Sequence, residues 1–258
     1  STPSNSSAAS DVYKRQIKGE DIKKGEKILE KGEIIRPWHV GLLAAQGFRE
    51  VKVYKRLRAV IFDTGDELVE PGQSLPEGKI YDSTRYIVRS YLEDLGLEVI
   101  DYGIVGDNEH RIKSMFEKAL AEADIVFSIG GTSVGKRDYT VRALSKLRGL
   151  EYFVHGLSLT PGRPAAVAVV SGKPIFALSG MPVAALSELH ILFRDFLVKI
   201  LGIKGIVVPK VKAQLTRRVV SEPGMLSVFR VKVCRDRNGI YYAEPLRLTG
   251  SGLLSTLI

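Results

Sequence analysis

The 258-residue sequence predicts an α/β fold, a three-layer, mostly parallel sheet followed by a small all-β domain. Three observations carry this. Short apolar runs at 59–62, 97–105 and 124–129 alternate with stretches whose apolar residues recur at helical spacing. The loops that follow those runs concentrate Gly, Asp, Ser and Thr, as expected where strands end in a ligand crevice. After Gly202 the pattern changes to period-two alternation over 207–215, 226–235 and 240–247, with Arg237-Asn238-Gly239 as a turn.

The elements follow in order. Residues 1–16 are polar and rich in small residues, and read as a disordered or non-native tail. Residues 17–57 hold two charged, Gly-punctuated turns and a short helix with His39, Leu42, Leu43 and Ala45 on its apolar face. They read as a linker from an incomplete N-terminal domain. Residues 58–203 form the α/β domain. Strand 59–62 ends at Thr64-Gly65. Asp82-Ser83 caps a helix that turns Ile87, Val88, Tyr91, Leu92 and Leu95 to one side. Strand 97–105 precedes a helix burying Ile112, Met115, Phe116, Ala119 and Leu120. Strand 124–129 is nearly all apolar, hence covered on both faces; Gly130-Gly131 ends it, and a helix begins near Tyr139. Runs 165–170 and 175–178 are further strands, and Pro182 suits the first turn of a long helix over 183–201. Residues 204–258 form the C-terminal β domain. Its end at LLSTLI is apolar and abrupt, which predicts a truncated domain.

Composition removes several classes. No apolar run is long enough to span a membrane, and a cytoplasmic location is expected. One cysteine, Cys234, allows no internal disulfide and no cysteine metal cluster, and four scattered histidines do not suggest zinc. The net charge of +9 fits an anionic ligand or nucleic acid. Part of the excess lies between Lys204 and Arg247, where a solvated strand surface accounts for it as well. Nucleic-acid binding stays as an alternative, without an aromatic–basic motif to support it.

The stretch SIGGTSVGKRDYT (128–140) contains the first seven positions of a P-loop, Gly130 to Lys136, but Arg137 stands where a Mg²⁺-binding hydroxyl is needed. Two readings remain. The backbone amides of Gly131 to Gly135, with the hydroxyls of Thr132 and Ser133, form an anion cradle before a helix. Or the glycines serve only the strand-to-helix turn. Carboxylates stand in the neighbouring loops: Asp66 and Glu67 after the first strand, Asp107 after the second, Asp138 after the third. Gathered at one sheet edge beside a phosphate they would call for a cation such as Mg²⁺; singly, each is a common loop or cap residue.

Six segments in this order resemble the molybdopterin molybdenumtransferases of MoeA and gephyrin E-domain type: TGDEL (64–68), GKIYDS (78–83), Gly106-Asp107, SIGGTSVGKRDY (128–139), TPGRP (160–164) and LSGMPVAA (178–185). The segment over 19–56 and GSGLLS (250–255) are similar to that family too, so the likeness runs from about Ile17 to Ile258. It implies a MogA-like α/β domain, a homodimer, and a small-molecule pterin substrate. The implied reaction inserts molybdate, or tungstate, into the dithiolene of adenylylated molybdopterin, with release of AMP and use of Mg²⁺. Pterin adenylylation and a noncatalytic binding or scaffold module are the alternatives on the same fold. By motif, Thr64, Gly65, Asp82, Ser83, Ser128, Gly130, Gly131, Thr132, Ser133, Gly135, Pro161, Gly162, Arg163, Gly180 and Pro182 would bind the substrate. Asp66, Glu67, Asp107 and Asp138 would be catalytic, with Asp66, Asp107 and Asp138 on the metal. The chain departs from the family at Thr160, where Lys is common, and at Met181 and Ala184, where an amide and a hydroxyl are common.

Overall fold

A computed structural model describes residues 19–133, 138–204, 208–246, 252 and 254–256. The chain divides into two compact units, Ser1–Val53 with Gly202–Ile206, and Tyr54–Leu201 with Val207–Ile258. The first holds helix α1 (Pro37–Ala45), with Pro37 at its first position, where an N–H would be unpaired anyway. No residue of α1 is buried, and His39, expected on an apolar face, instead accepts the Arg36 amide through Nδ1 at 3.1 Å. Leu42 and Leu43 are half-buried.

The second unit runs β1 (Arg58–Thr64), β2 (Leu68–Val69), β3 (Ile80–Tyr81), α2 (Thr84–Asp94), β4 (Glu98–Val105), α3 (Glu109–Glu122), β5 (Ile125–Ile129), α4 (Tyr139–Ser145), β6 (Leu150–His155), β7 (Leu159–Thr160), β8 (Ala166–Val170), β9 (Lys173–Leu178), α5 (Pro182–Glu188) and α6 (Arg194–Lys199), then β10 (Gln214–Leu215), β11 (Leu226–Ser227), β12 (Val231–Arg235) and β13 (Tyr241–Pro245). Six strands form one sheet in the order β4-β1-β5-β9-β8-β6. The strands β4, β1, β5 and β9 are mutually parallel, so their carboxyl ends share one edge. Strand β8 runs against β9 and β6. Its reversal is local: Ser171 (φ +48°) and Gly172 (φ +74°) make the two-residue, positive-φ turn that suits a hairpin.

Side chains alternate across β1 and β5 and fill two layers. On one face Val60, Phe62 and Val126 join Ile112 and Phe116, with the Phe62 and Phe116 rings edge-to-face at 5.0 Å. Another aromatic cluster joins Phe127, Phe176 and Phe193, centroids 4.9–5.5 Å apart. Every residue of β5 is buried, as its apolar run predicts. Helix α3 buries Ile112, Phe116 and Ala119, with Met115 and Leu120 packed beside them.

Three expectations change. Strand β6 had no place in the sequence reading; it is an edge strand, half-buried to exposed, whose pattern is too weak to stand out. The long helix over 183–201 is α5 and α6 joined by a π-helical segment, Leu189–Phe193. Among the described residues of the C-terminal part, only β12 and β13 pair antiparallel; β10 joins β13 in parallel, and β11 pairs in parallel with β7. Lys232 and Arg235 on β12 are exposed, in keeping with a solvated basic strand.

Candidate active site

The parallel strand ends open onto a cavity of about 840 Å³. From β1 come Asp63 and Thr64, with Glu67 beyond them; Gly130, Gly131, Thr132 and Ser133 follow β5. The β7 loop supplies Pro161, Gly162 and Arg163, and the β9 loop Gly180 and Pro182. Asp82 and Ser83, before α2, complete the expected set found here. Gly65, Asp66, Asp107, Ser128 and Asp138 stand outside this lining, and Gly135 lies outside the described residues.

The glycine-rich loop is tied from beneath. Thr64 Oγ1 donates to Ile129 O at 3.0 Å and lies 3.3 Å from Thr140 Oγ1, which donates to Gly130 O at 3.1 Å. The Gly130 amide donates to Leu178 O at 2.9 Å. Among the described residues nothing accepts from the amides of Gly131, Thr132 or Ser133. Unpaired amides before a helix are the donor set an anion needs. At the other end of the loop Asp138 is buried, and its Oδ1 has no hydrogen-bond partner among the described residues. Burial raises the Asp138 pKa, opposed by the nearby His155. His155 Nε2 lies 3.8 Å from Asp138 Oδ2 and 3.1 Å from Thr132 O, so this ring from β6 bridges the two ends of the loop.

Asp66 and Asp107 do meet. The Asp107 amide donates to Asp66 Oδ1 at 3.1 Å, and the Asp66 amide points back at Asp107 Oδ2 at 3.5 Å. Among the described residues no three His, Cys, Asp or Glu side chains are arranged to hold a metal ion, so Asp66, Asp107 and Asp138 make no preformed three-carboxylate cage. Arg163, expected to hold an anion, is exposed and pairs with Glu222 at 2.5 Å. Asp82 rather than Ser83 caps α2: Asp82 Oδ1 accepts from the Arg85 amide at 3.1 Å, and Ser83 makes no side-chain cap bond.

Several site residues escaped the sequence reading. Asp63 is buried at the end of β1, 2% exposed, with its Oδ1 accepting from the Thr64 amide at 2.7 Å. Burial, then the Asp82 carboxylate facing it, pushes its pKa well above the usual range, which favours a neutral Asp63. Its signal was a carboxylate closing an apolar strand, RAVIFD. Thr84 Oγ1 holds Gly180 O at 2.8 Å. Thr140, His155 and Ser179 carried no signal, because only the folded chain puts them beside the loops.

A family model described as "Probable molybdopterin binding domain" matches residues 60–199, and one described as "MoeA C-terminal region (domain IV)" matches 212–258. A molybdopterin molybdenumtransferase of Haemophilus influenzae is 35% identical over 93% of this chain and 59% of its own length. Molybdopterin molybdenumtransferase 2 of Mycobacterium tuberculosis is 31% identical over 88% and 57%. The chain thus spans less than three-fifths of the length of these relatives. Among solved structures, a molybdopterin biosynthesis MoeA protein from Pyrococcus horikoshii superposes with a TM-score of 0.77 at 32% identity, covering 92% of this chain and 57% of its own. With the first family model spanning more than half of its length, the chain belongs to the molybdopterin molybdenumtransferases of MoeA type.

Proposed function

We propose that this chain carries the substrate-binding part of an enzyme that inserts molybdate, or tungstate, into the dithiolene of adenylylated molybdopterin and releases AMP with the help of Mg²⁺. The observation supporting this reading is the arrangement of one cavity. Residues 131–133, whose amides have no acceptor among the described residues, line the side that follows β5, and carboxylates stand on and beside it. The amides and the Thr132 and Ser133 hydroxyls donate to phosphate oxygens of the substrate. Arg163 shares its charge between Glu222 and an incoming anion.

The donors fit Mg²⁺. They are carboxylate oxygens, and one of them, Asp138 Oδ1, is buried without a partner among the described residues. Mg²⁺ commonly takes one or two carboxylates plus substrate phosphate rather than a full protein cage, so a preformed triad is not required. One or two of Asp66, Asp107 and Asp138 would hold it beside the substrate phosphate, where it would neutralise charge developing on the phosphoryl oxygens. Asp138 is kept in place from the β6 side by His155. As in the family, the active assembly is a homodimer, which sedimentation of the full-length protein would test.

Calorimetry with adenylylated molybdopterin, with and without Mg²⁺, tests the reading. Binding strengthened by Mg²⁺ is expected, and no binding in either condition overturns it. Asp138→Ala should lower AMP release by the full-length protein at least ~100-fold, the scale lost with a charge-stabilising group. Release at the wild-type rate would remove Asp138 from the chemistry.

A further inference from the structure

Glu188 ends helix α5 and is fully buried. A carboxyl in such a place finds donors or gives up its charge. Its Oε2 accepts from the Ser179 amide at 2.8 Å, and its Oε1 accepts from the Ser179 hydroxyl. Burial raises its pKa to about 7, against the lowering effect of the two Ser179 bonds. The same side chain packs on the β7 loop. A Cβ on Gly162 (φ +124°) would lie 2.9 Å from Glu188 Cγ and 3.2 Å from Oε1. Ser179 and Gly162 both line the cavity. One buried carboxyl is therefore wedged behind two loops of the cavity wall.

We propose that Glu188 is a positioning residue that holds the Ser179 and Gly162 loops together, and that binding of an anion between those loops is coupled to uptake of a proton by Glu188. This rests on the reading of the cavity as an anion site. Charge on Glu188 opposes an anion across a thin, poorly screened wall, and protonation removes that opposition. Protonation also changes what Ser179 can do. A carboxylate has no hydrogen to give, so the Ser179 hydroxyl is committed to donating to it. A neutral acid donates its own hydrogen to Ser179 Oγ, which frees the Ser179 hydrogen to turn toward a ligand. Ligand and proton then favour each other reciprocally.

Charged groups on the neighbouring elements are engaged elsewhere. Arg163 on the β7 loop pairs with Glu222, and Arg85 on α2 with Glu70, Asp82 and Asp101. On the turns after α5, Arg194 contacts His190. Asp63, Glu67 and Asp82 line the same cavity. None of these contributes to the balance at Glu188, which is set by burial and Ser179.

Two measurements on the whole chain test the proposal. Without ligand, the ¹H–¹⁵N resonances of Ser179 and Gly162 should shift through one transition near pH 7, absent in Glu188→Gln. Gln is nearly isosteric and still accepts from the Ser179 amide. With inorganic pyrophosphate, calorimetry in buffers of different ionisation enthalpy should show up to one proton taken up per ligand at pH 8, lost in Glu188→Gln. Wild-type affinity should fall relative to the variant by up to about tenfold per pH unit above 7, the slope of one linked proton. Amides that do not titrate, or titrate alike in both proteins, overturn the positioning role. Pyrophosphate binding with the same pH profile in both overturns the coupling. If pyrophosphate binds neither protein, the anion site and the coupling fall together, and the resonances alone decide the positioning role.

Discussion

Gly130 shows how one position commits the loop. Its φ is +76°, and a Cβ would lie 2.6 Å from Thr64 O, a backbone atom that cannot swing away. A left-handed backbone costs an L-residue roughly 1–2 kcal/mol before any clash is counted. Gly130→Ala is therefore expected to lose at least ~2 kcal/mol in urea unfolding, and a loss under about 0.5 kcal/mol would mean that the loop relaxes freely. This need was legible, because paired glycines after an apolar strand mark a sharp turn. The P-loop spacing was not informative, and its Gly135, Lys136 and Arg137 fall outside the described residues. Asp63 and Glu188 were hidden for a different reason. Each is a polar residue within an element whose pattern otherwise reads as core, and pattern does not tell which loop will supply a partner.

At the scale of elements, α2 shows the same divide. The helical spacing of 87–95 correctly turns Val88 and Leu92 into the core. It does not show that Arg85, one turn earlier, is buried as well. Arg85 meets Asp82 at 2.6 Å, Asp101 on β4 at 2.5 Å and Glu70 after β2 at 2.5 Å. These carboxylates come from three segments that join only when β4, the β2–β3 pair and α2 pack together. Arg85→Leu leaves the buried Asp82 without its cation and Asp101 with only the more distant Arg89, at 3.9 Å; removing one partner from a buried ion pair costs about 3–5 kcal/mol. The expected outcome is a loss on that scale in chemical denaturation, with weakened pyrophosphate binding because Asp82 lines the cavity. A stability within 1 kcal/mol of wild type would show that the carboxylates find other donors. The β11–β7 pairing has the same character. It brings Leu226 beside Leu159 through two-residue strands, too short for any periodicity to reveal.

For the whole molecule, the consequence is a pH dependence of stability. Glu188, at about 7 in the fold, holds its proton over a range where the unfolded chain, near 4.5, has released it. The contribution is fully present below pH 4.5 and is lost as pH rises to 7. Wild-type stability should fall relative to Glu188→Gln by about 1.4 kcal/mol per pH unit over that range and then level off. Asp63, also raised, adds a loss of the same sign in both proteins. Urea midpoints at pH 5, 6, 7 and 8 would show it, and parallel curves would contradict the burial of a titrating Glu188. The fold class, the main strands and the loops that line the cavity could be read from the chain alone, because hydrophobic period and glycine placement are local properties. The family could be read because its motifs are short and contiguous. Which carboxylates stay charged, which are buried neutral and which arginine is already paired could not. Those states depend on burial and on partners far along the chain, such as Arg163 and Glu222, 59 residues apart, and desolvation and Coulomb energy are set by distance in space rather than along the chain.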